Sequence, residues 1–191
     1  MKQYWRPGTM LNPLPAVIVS CGSTLKNRNL ITVAWTGTIC SDPAMCFISV
    51  RPSRYSHSIL MEEMEFTINL TTASMAKATD WCGVRSGRDY DKWKECGLTP
   101  VEGVKVGCWY VDESPVAIEC RVKQVMHLGT HDMFLAEVVN VIADESFIDQ
   151  KTGALDLTKA DLMTYCHGHY HALGRELGHF GFSVRKKKQK K

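Results

Sequence analysis

Residues 116–143 read VAIECRVKQVMHLGTHDMFLAEVVNVIA: two apolar runs, Val116 to Leu128 and Met133 to Ala143, parted by Gly129-Thr130-His131-Asp132. A polar link this short forces the flanking runs antiparallel, so the stretch predicts a long β-hairpin. Working outward, Phe66 to Leu70 keeps strand alternation, and Ala44 to Val50 begins a strand just after the turn signal Asp42-Pro43. Pro15 to Gly22 and Leu30 to Trp35 predict two more strands around the polar turn Thr24 to Asn29. Helices are expected over Ser56 to Met64, with Ser56 or Ser58 as cap and Ile59, Leu60 and Met64 inward, and over Ser74 to Gly83 and Tyr90 to Cys96. A further helix is expected to start at Leu157, capped by Thr158. With at least six strands, few helices and mostly antiparallel connections, the chain reads as mainly β: a small barrel with peripheral helices.

At 191 residues, with 45% hydrophobic and 23% charged residues, the composition is that of an ordinary globular chain. No apolar run reaches the roughly 20 residues that span a bilayer. The first residues lack the apolar stretch of a secretion signal, so a cytoplasmic location is expected. Eight cysteines are present, none in a C-x-x-C pair, which removes the spacing of zinc ribbons and thioredoxin-like sites. They are expected to be reduced and mostly structural. The net charge of +3 depends on Arg185, Lys186, Lys187, Lys188, Lys190 and Lys191; without them 17 basic residues face 20 acidic ones. The body is therefore mildly acidic, and residues 185–191 read as a basic, disordered tail following a domain at 1–184. No aromatic residues interleave with these lysines, which argues against a nucleic-acid platform.

Two short segments carry the chemistry. Asn29-Leu30-Ile31-Thr32-Val33-Ala34-Trp35-Thr36-Gly37 is a β-branched and aromatic run ending in small, hydroxyl-bearing residues. Ser49-Val50-Arg51-Pro52-Ser53-Arg54-Tyr55-Ser56 leaves a strand and enters a helix, bringing two arginines and several hydroxyls together. Arginine forks, hydroxyls and a helix N-terminus suit a phosphate, against the alternative of a solvated loop with surface arginines. The first segment offers backbone groups to a flat heterocycle joined to that phosphate. In the loop Gly83 to Trp93, Ser86 and the Gly87 amide are placed to close over a ligand, or belong to an ordinary interhelix connection. His131 is either a donor toward a substrate or a solvated turn residue. His167, His169 and His171, next to Cys166, would share a face if extended and could ligate zinc or copper, but lack a nearby acidic residue or second cysteine to complete a metal set. The absence of G-x-G-x-x-G, P-loop and G-x-S-x-G motifs leaves Rossmann, P-loop and α/β-hydrolase readings unsupported.

In these same segments the chain resembles the flavin reductase-like, FMN-binding split-barrel family, and within it the flavoredoxin-type branch. Trp5-x-Pro7-Gly8-Thr9, Pro13-x-Pro15-Ala16-Val17 and Asp42-Pro43 add to the resemblance, as do Ser86-Gly87-Arg88, Asp91-Lys92-Trp93 and Gly129-Thr130-His131-Asp132. The last match is Tyr170-x-x-Leu173-Gly174-x-x-Leu177-Gly178; together they span about residues 5 to 184. The resemblance implies a six-stranded antiparallel split β-barrel that forms a homodimer and holds FMN non-covalently. It implies that Thr32, Val33, Ala34, Trp35 and Thr36 line the isoalloxazine and ribityl chain. It further implies that Ser49, Val50 and Arg51 approach the ring, that Arg54, Tyr55 and Ser56 hold the phosphate, and that Ser86 and Gly87 reach the flavin. His131 matches a hairpin histidine near the nicotinamide in family reductases. Many relatives carry Gly-Asp-His where this chain has Gly129-Thr130-His131, which weakens the expected local support for a nicotinamide. The function expected is FMN-dependent redox chemistry with NAD(P)H or a reduced protein as donor. The alternatives are a flavoredoxin-type electron carrier, a non-catalytic FMN-binding protein, or a metal-binding protein through the histidine cluster.

Overall fold

The computed structural model describes residues 1–184, so the basic tail lies outside the described residues. The strands are β1 (Leu14–Pro15), β2 (Val17–Cys21), β3 (Asn29–Val33), β4 (Thr36–Ser41), β5 (Ala44–Val50), β6 (Glu65–Leu70), β7 (Pro100–Val101), β8 (Tyr110–Val111), β9 (Val116–His127), β10 (Asp132–Ala143), β11 (Met163–Cys166) and β12 (His169–Ala172). Among the described residues three α-helices join them: α1 (Tyr55–Glu63), α2 (Ala76–Val84) and α3 (Lys92–Cys96). The fold is mainly β, as the sequence predicts.

One antiparallel sheet runs in the order β3-β2-β6-β9-β10-β5-β4. Its spine is the expected hairpin, with His127 opposite Asp132 and two register shifts farther along the ladder, an extra residue first in β9 and then in β10. Strands β3 and β4 follow one another in sequence, parted by Ala34 and Trp35 alone, yet form opposite edges of the sheet. The sheet must therefore curl until its edges approach; the Trp35 carbonyl accepts from the Ser49 amide at 2.9 Å, which carries the β4–β5 pairing up to the crossover. β3 has only β2 as a ladder partner, so one edge of its backbone stays unpaired along the seam.

Alternation along the strands separates two cores. Val17, Val19, Cys21, Ile31 and Val33 point into the barrel with Ile48, Phe66, Ile68, Cys120 and Phe134, and α1 adds Ile59 and Leu60. Ile18 and Leu30 point outward, where Met75, Cys82 and Trp93 of the α2–α3 layer cover them. Six strands supply the inner core, matching the six expected; β4 is a seventh, half-exposed strand that the sequence reading missed. Its residues, Thr-Gly-Thr-Ile-Cys-Ser, have little apolar alternation to betray it.

Several boundaries also move. The Leu30 to Trp35 strand ends at Val33, and the N-cap of α1 is Arg54, with no side-chain cap, rather than Ser56 or Ser58. The helix expected from Leu157 is one 3-10 turn, capped by Asp156 accepting from the Thr158 amide, because the short Asp side chain offers the better acceptor there. No described helix is long and apolar enough to cross a membrane.

Phe134 is fully buried at the centre of the barrel. Phe134→Ala is expected to cost about 3–5 kcal/mol, read as a lower urea midpoint at unchanged slope.

Candidate functional site

The seam is flanked by two contiguous concavities that share Ile31 and Arg54. The first is a pocket of about 150 Å³ between the start of α1, the buried side chain of Asn29, and the segment from Cys82 to Lys92. Arg54, Arg85, Arg88 and Lys92 line it, and no carboxylate does. None of the four is ion-paired among the described residues. Arg88 instead lies over the Tyr55 ring, 5.9 Å from its centroid. The N-terminal amides of α1, with no side chain capping them, open on the same pocket. Four cations, free helix amides and hydroxyls, with no acidic residue among them, make a site for a compact polyanion.

Each wall has a structural reason. Asn29, only 3% exposed, donates from Nδ2 to the Ser56 hydroxyl at 2.8 Å and so ties the start of β3 to the first turn of α1. Gly87 packs directly on Asn29 and Tyr55: a Cβ there would collide with Asn29 Oδ1 and come within 2.9 Å of Tyr55 Cδ1. Only glycine lets the loop approach this closely. Lys92 is 4% exposed and donates from Nζ to the Cys82 carbonyl at 2.6 Å. Burial, and among its charged neighbours Arg54, hold its ammonium below the ordinary lysine pKa.

The second concavity is a groove of about 250 Å³ along the seam, lined by Ile31 to Trp35, Ser49 to Arg51, Arg54, His131 and Tyr165. The His131 ring sits 4.3 Å from that of Trp35. Burial, then the Arg51 charge, hold its imidazole below the ordinary histidine pKa, so the groove keeps a neutral ring near pH 7. The next residue, Asp132, is buried and accepts from His57 Nε2 at 2.7 Å and bonds His127 Nδ1 at 2.9 Å. The His127 bond first, then that of His57, hold its carboxyl below the usual aspartate range against burial. This clamp fixes the base of the hairpin that carries His131.

Of the residues singled out from sequence, Thr32, Val33, Ala34, Trp35, Ser49, Val50, Arg51, Arg54 and His131 line the groove. Tyr55, Ser56, Ser86 and Gly87 line the pocket together with Arg54. Thr36 reaches neither: it is buried at the start of β4, where its hydroxyl donates to the Phe47 carbonyl at 2.6 Å. The Thr32 hydroxyl is also engaged elsewhere, donating to the Thr79 carbonyl of α2, which leaves its backbone for the groove. Asn29, Arg85, Arg88, Lys92 and Tyr165 belong to the site and were missed. Four of them stand inside or beside quoted segments, where the signal was a third and fourth cation near Ser86-Gly87; Tyr165 had none. His169 and His171 lie with ring centroids 6.3 Å apart on β12, and no three potential metal ligands converge among the described residues.

A family model, the flavin reductase like domain, matches residues 10–174. Flavoredoxin of Desulfovibrio vulgaris (Miyazaki F) is similar with a TM-score of 0.88 and 29% identity, over 97% of this chain and 100% of that one. Flavoredoxin from Methanosarcina acetivorans has a TM-score of 0.86 and 23% identity, over 97% and 100%. An FMN-binding protein from Thermus thermophilus, solved with 1-cyclohex-2-enone, has a TM-score of 0.79 and 23% identity, over 94% and 99%.

The His131 assignment makes a titration prediction. Its NMR midpoint should fall below the ordinary value of 6.5, and Arg51→Ala should return it part of the way. Because the folded state binds this proton less readily than the unfolded chain, stability is unaffected above the ordinary value and falls as pH drops from there through the lower midpoint of the folded state.

Proposed function

The chain belongs to the flavin reductase like domain family, and we propose that it holds FMN non-covalently along the seam and works as an FMN-dependent oxidoreductase. The observation that carries this reading is the join between the groove and the pocket: the groove, with Trp35, Tyr165 and His131 among its lining residues, meets at Arg54 a four-cation pocket without a carboxylate. A planar heterocycle with a phosphate at the end of a flexible chain matches that pair of shapes and charges.

In this reading Arg54, Ser56, the Gly87 amide and the start of α1 hold the phosphate, with Arg85, Arg88 and Lys92 adding charge. The unpaired edge of β3 and the end of β5, Ser49 to Arg51, border the ring and ribityl chain. FMN, when bound, supplies reversible electron and hydride chemistry that side chains cannot perform. The protein's part is placement and charge. Arg51 brings a cation to the groove, where it favours developing negative charge. The neutral His131 ring, braced by Trp35 and by the Asp132 clamp beneath it, offers a hydrogen-bonding edge to an arriving reductant without adding a second charge.

NAD(P)H is the donor we favour, because the groove stays open beside His131. A flavoredoxin-type electron carrier, reduced by a redox protein, is the second reading; the likeness to two flavoredoxins supports it. A homodimer fits the apolar side chains exposed on both terminal segments, Trp5, Leu11, Leu177 and Phe180 among them, which a second copy would cover. Eight free cysteines fit a reducing cytoplasm.

The deciding experiment is the visible spectrum after mixing with FMN and desalting. Retained flavin bands are expected; a colourless protein with no flavin reductase activity would remove the reading. Arg54→Ala is expected to weaken FMN binding by about 10- to 100-fold, the scale of a lost charged hydrogen bond, and an unchanged dissociation constant would reject its assignment. In stopped-flow mixing, NADH or NADPH should bleach the bound flavin; reduction by neither, but by a reduced iron–sulfur protein, would select the carrier.

A further inference from the structure

The eight cysteines are all free thiols, and two pairs of them approach closely. The sulfurs of Cys46 and Cys120 lie 3.5 Å apart, sealed in the barrel core. Those of Cys82, near the end of α2, and Cys96, at the end of α3, have the same 3.5 Å separation but a different setting. Cys96 is only partly buried and opens into a surface cleft of about 270 Å³ beside Lys77, Trp81 and Glu95. Cys82 is fully buried, is among the residues lining the anion pocket, and its carbonyl holds Lys92 Nζ at 2.6 Å. One dithiol thus connects an outer cleft to the wall of the cofactor pocket.

We propose that Cys82 and Cys96 form a hydroperoxide-oxidisable pair whose disulfide alters the anion pocket. The effect on FMN rests on the reading of that pocket given above; the formation of the bond does not. The Cys96 sulfur, reached from the cleft, attacks the O–O bond of hydrogen peroxide and becomes a sulfenic acid with release of water. The Cys82 sulfur then displaces the sulfenic hydroxyl, which leaves as a second water with the Cys82 proton. Two thiols lose two electrons and two protons, and one peroxide becomes two waters.

Burial raises the pKa of Cys96 and outweighs the Cys82 thiol and the Lys92 charge, which favour its thiolate. The more deeply buried Cys82 is raised as well, burial again being the main cause. Reaction at neutral pH is therefore slow, as suits a response to sustained peroxide rather than a catalytic thiol.

The coupling follows from connectivity. A disulfide spans about 2.05 Å, so the two sulfurs must draw together by roughly 1.5 Å. Lys92 stands one helical turn before Cys96 on the same short helix, and Gly83 follows Cys82 directly. The segment between them carries Arg85, Ser86, Gly87 and Arg88, which line the pocket. Pulling its two ends together displaces groups placed to meet a dianion.

The test uses full-length protein, reduced and desalted, then exposed to hydrogen peroxide. The intact mass should fall by about 2 Da. Non-reducing tryptic digestion should then join the peptide 78–85 (ATDWCGVR) to 95–105 (ECGLTPVEGVK). Dithiothreitol should restore both mass and FMN affinity, which oxidation weakens severalfold by fluorescence titration. Cys96→Ser, at a partly exposed position, should bind FMN normally and lose its response to peroxide. No joined peptide, or one mapping to Cys46 and Cys120 instead, would overturn the bond; equal FMN affinity in both forms would overturn the coupling. Reduced protein that binds no FMN would overturn the flavin reading and the coupling, while the peptide map still decides the bond.

Discussion

The rest of the molecule depends on a two-residue link. Ala34 and Trp35 carry the chain from one edge of a seven-stranded sheet to the other, and the three steps from Val33 to Thr36 reach no farther than about 11 Å. The sheet cannot lie open under that constraint. It curls, its inner faces meet as one apolar core, and its edges stop short of full pairing. The incomplete closure leaves one edge of β3 without a ladder partner, and that edge borders the groove. A fully paired barrel would have spent those backbone groups on itself.

The helices finish what the curl begins. α1 starts immediately after β5 reaches the seam, so its N-terminal amides and Arg54 arrive beside the groove through chain connectivity alone. α2 and α3 cover Ile18 and Leu30 on the outer face of β2 and β3. In doing so they bring Lys92 and the loop with Gly87 over the start of α1. Packing of an apolar face thus delivers the remaining charges to the pocket. A layer that covers the sheet on one side lines the pocket with charge on the other.

Much of this was legible in the sequence where local rules act. The long hairpin, β5, and the passage from Ser49 to Ser56 were read nearly to their boundaries, because alternation, a short polar turn and clustered arginines are all local signals. Residues recruited across the fold were harder to see. Nothing near Lys92 in the sequence announces that the Cys82 carbonyl will hold its ammonium inside. Asn29 heads one of the quoted segments, but nothing local shows that its amide will tie β3 to the first turn of α1. Thr36 lies apart from both concavities for a different reason. Its neighbours belong to the groove, but the crossing at Trp35 turns it inward to the Phe47 carbonyl. β4 was missed because an edge strand, half exposed and built of small residues, carries almost no hydrophobic period.

The four cations gathered in one pocket have a consequence for the lifetime of the protein. Like charges held at close quarters in a partly desolvated space repel one another, and the fold carries that repulsion until an anion relieves it. An anion that binds only the folded chain raises stability by an amount that grows with the logarithm of its concentration. The supply of such an anion in the cell therefore governs how often the chain opens to proteases, and abundance becomes tied to cofactor supply without any dedicated regulator.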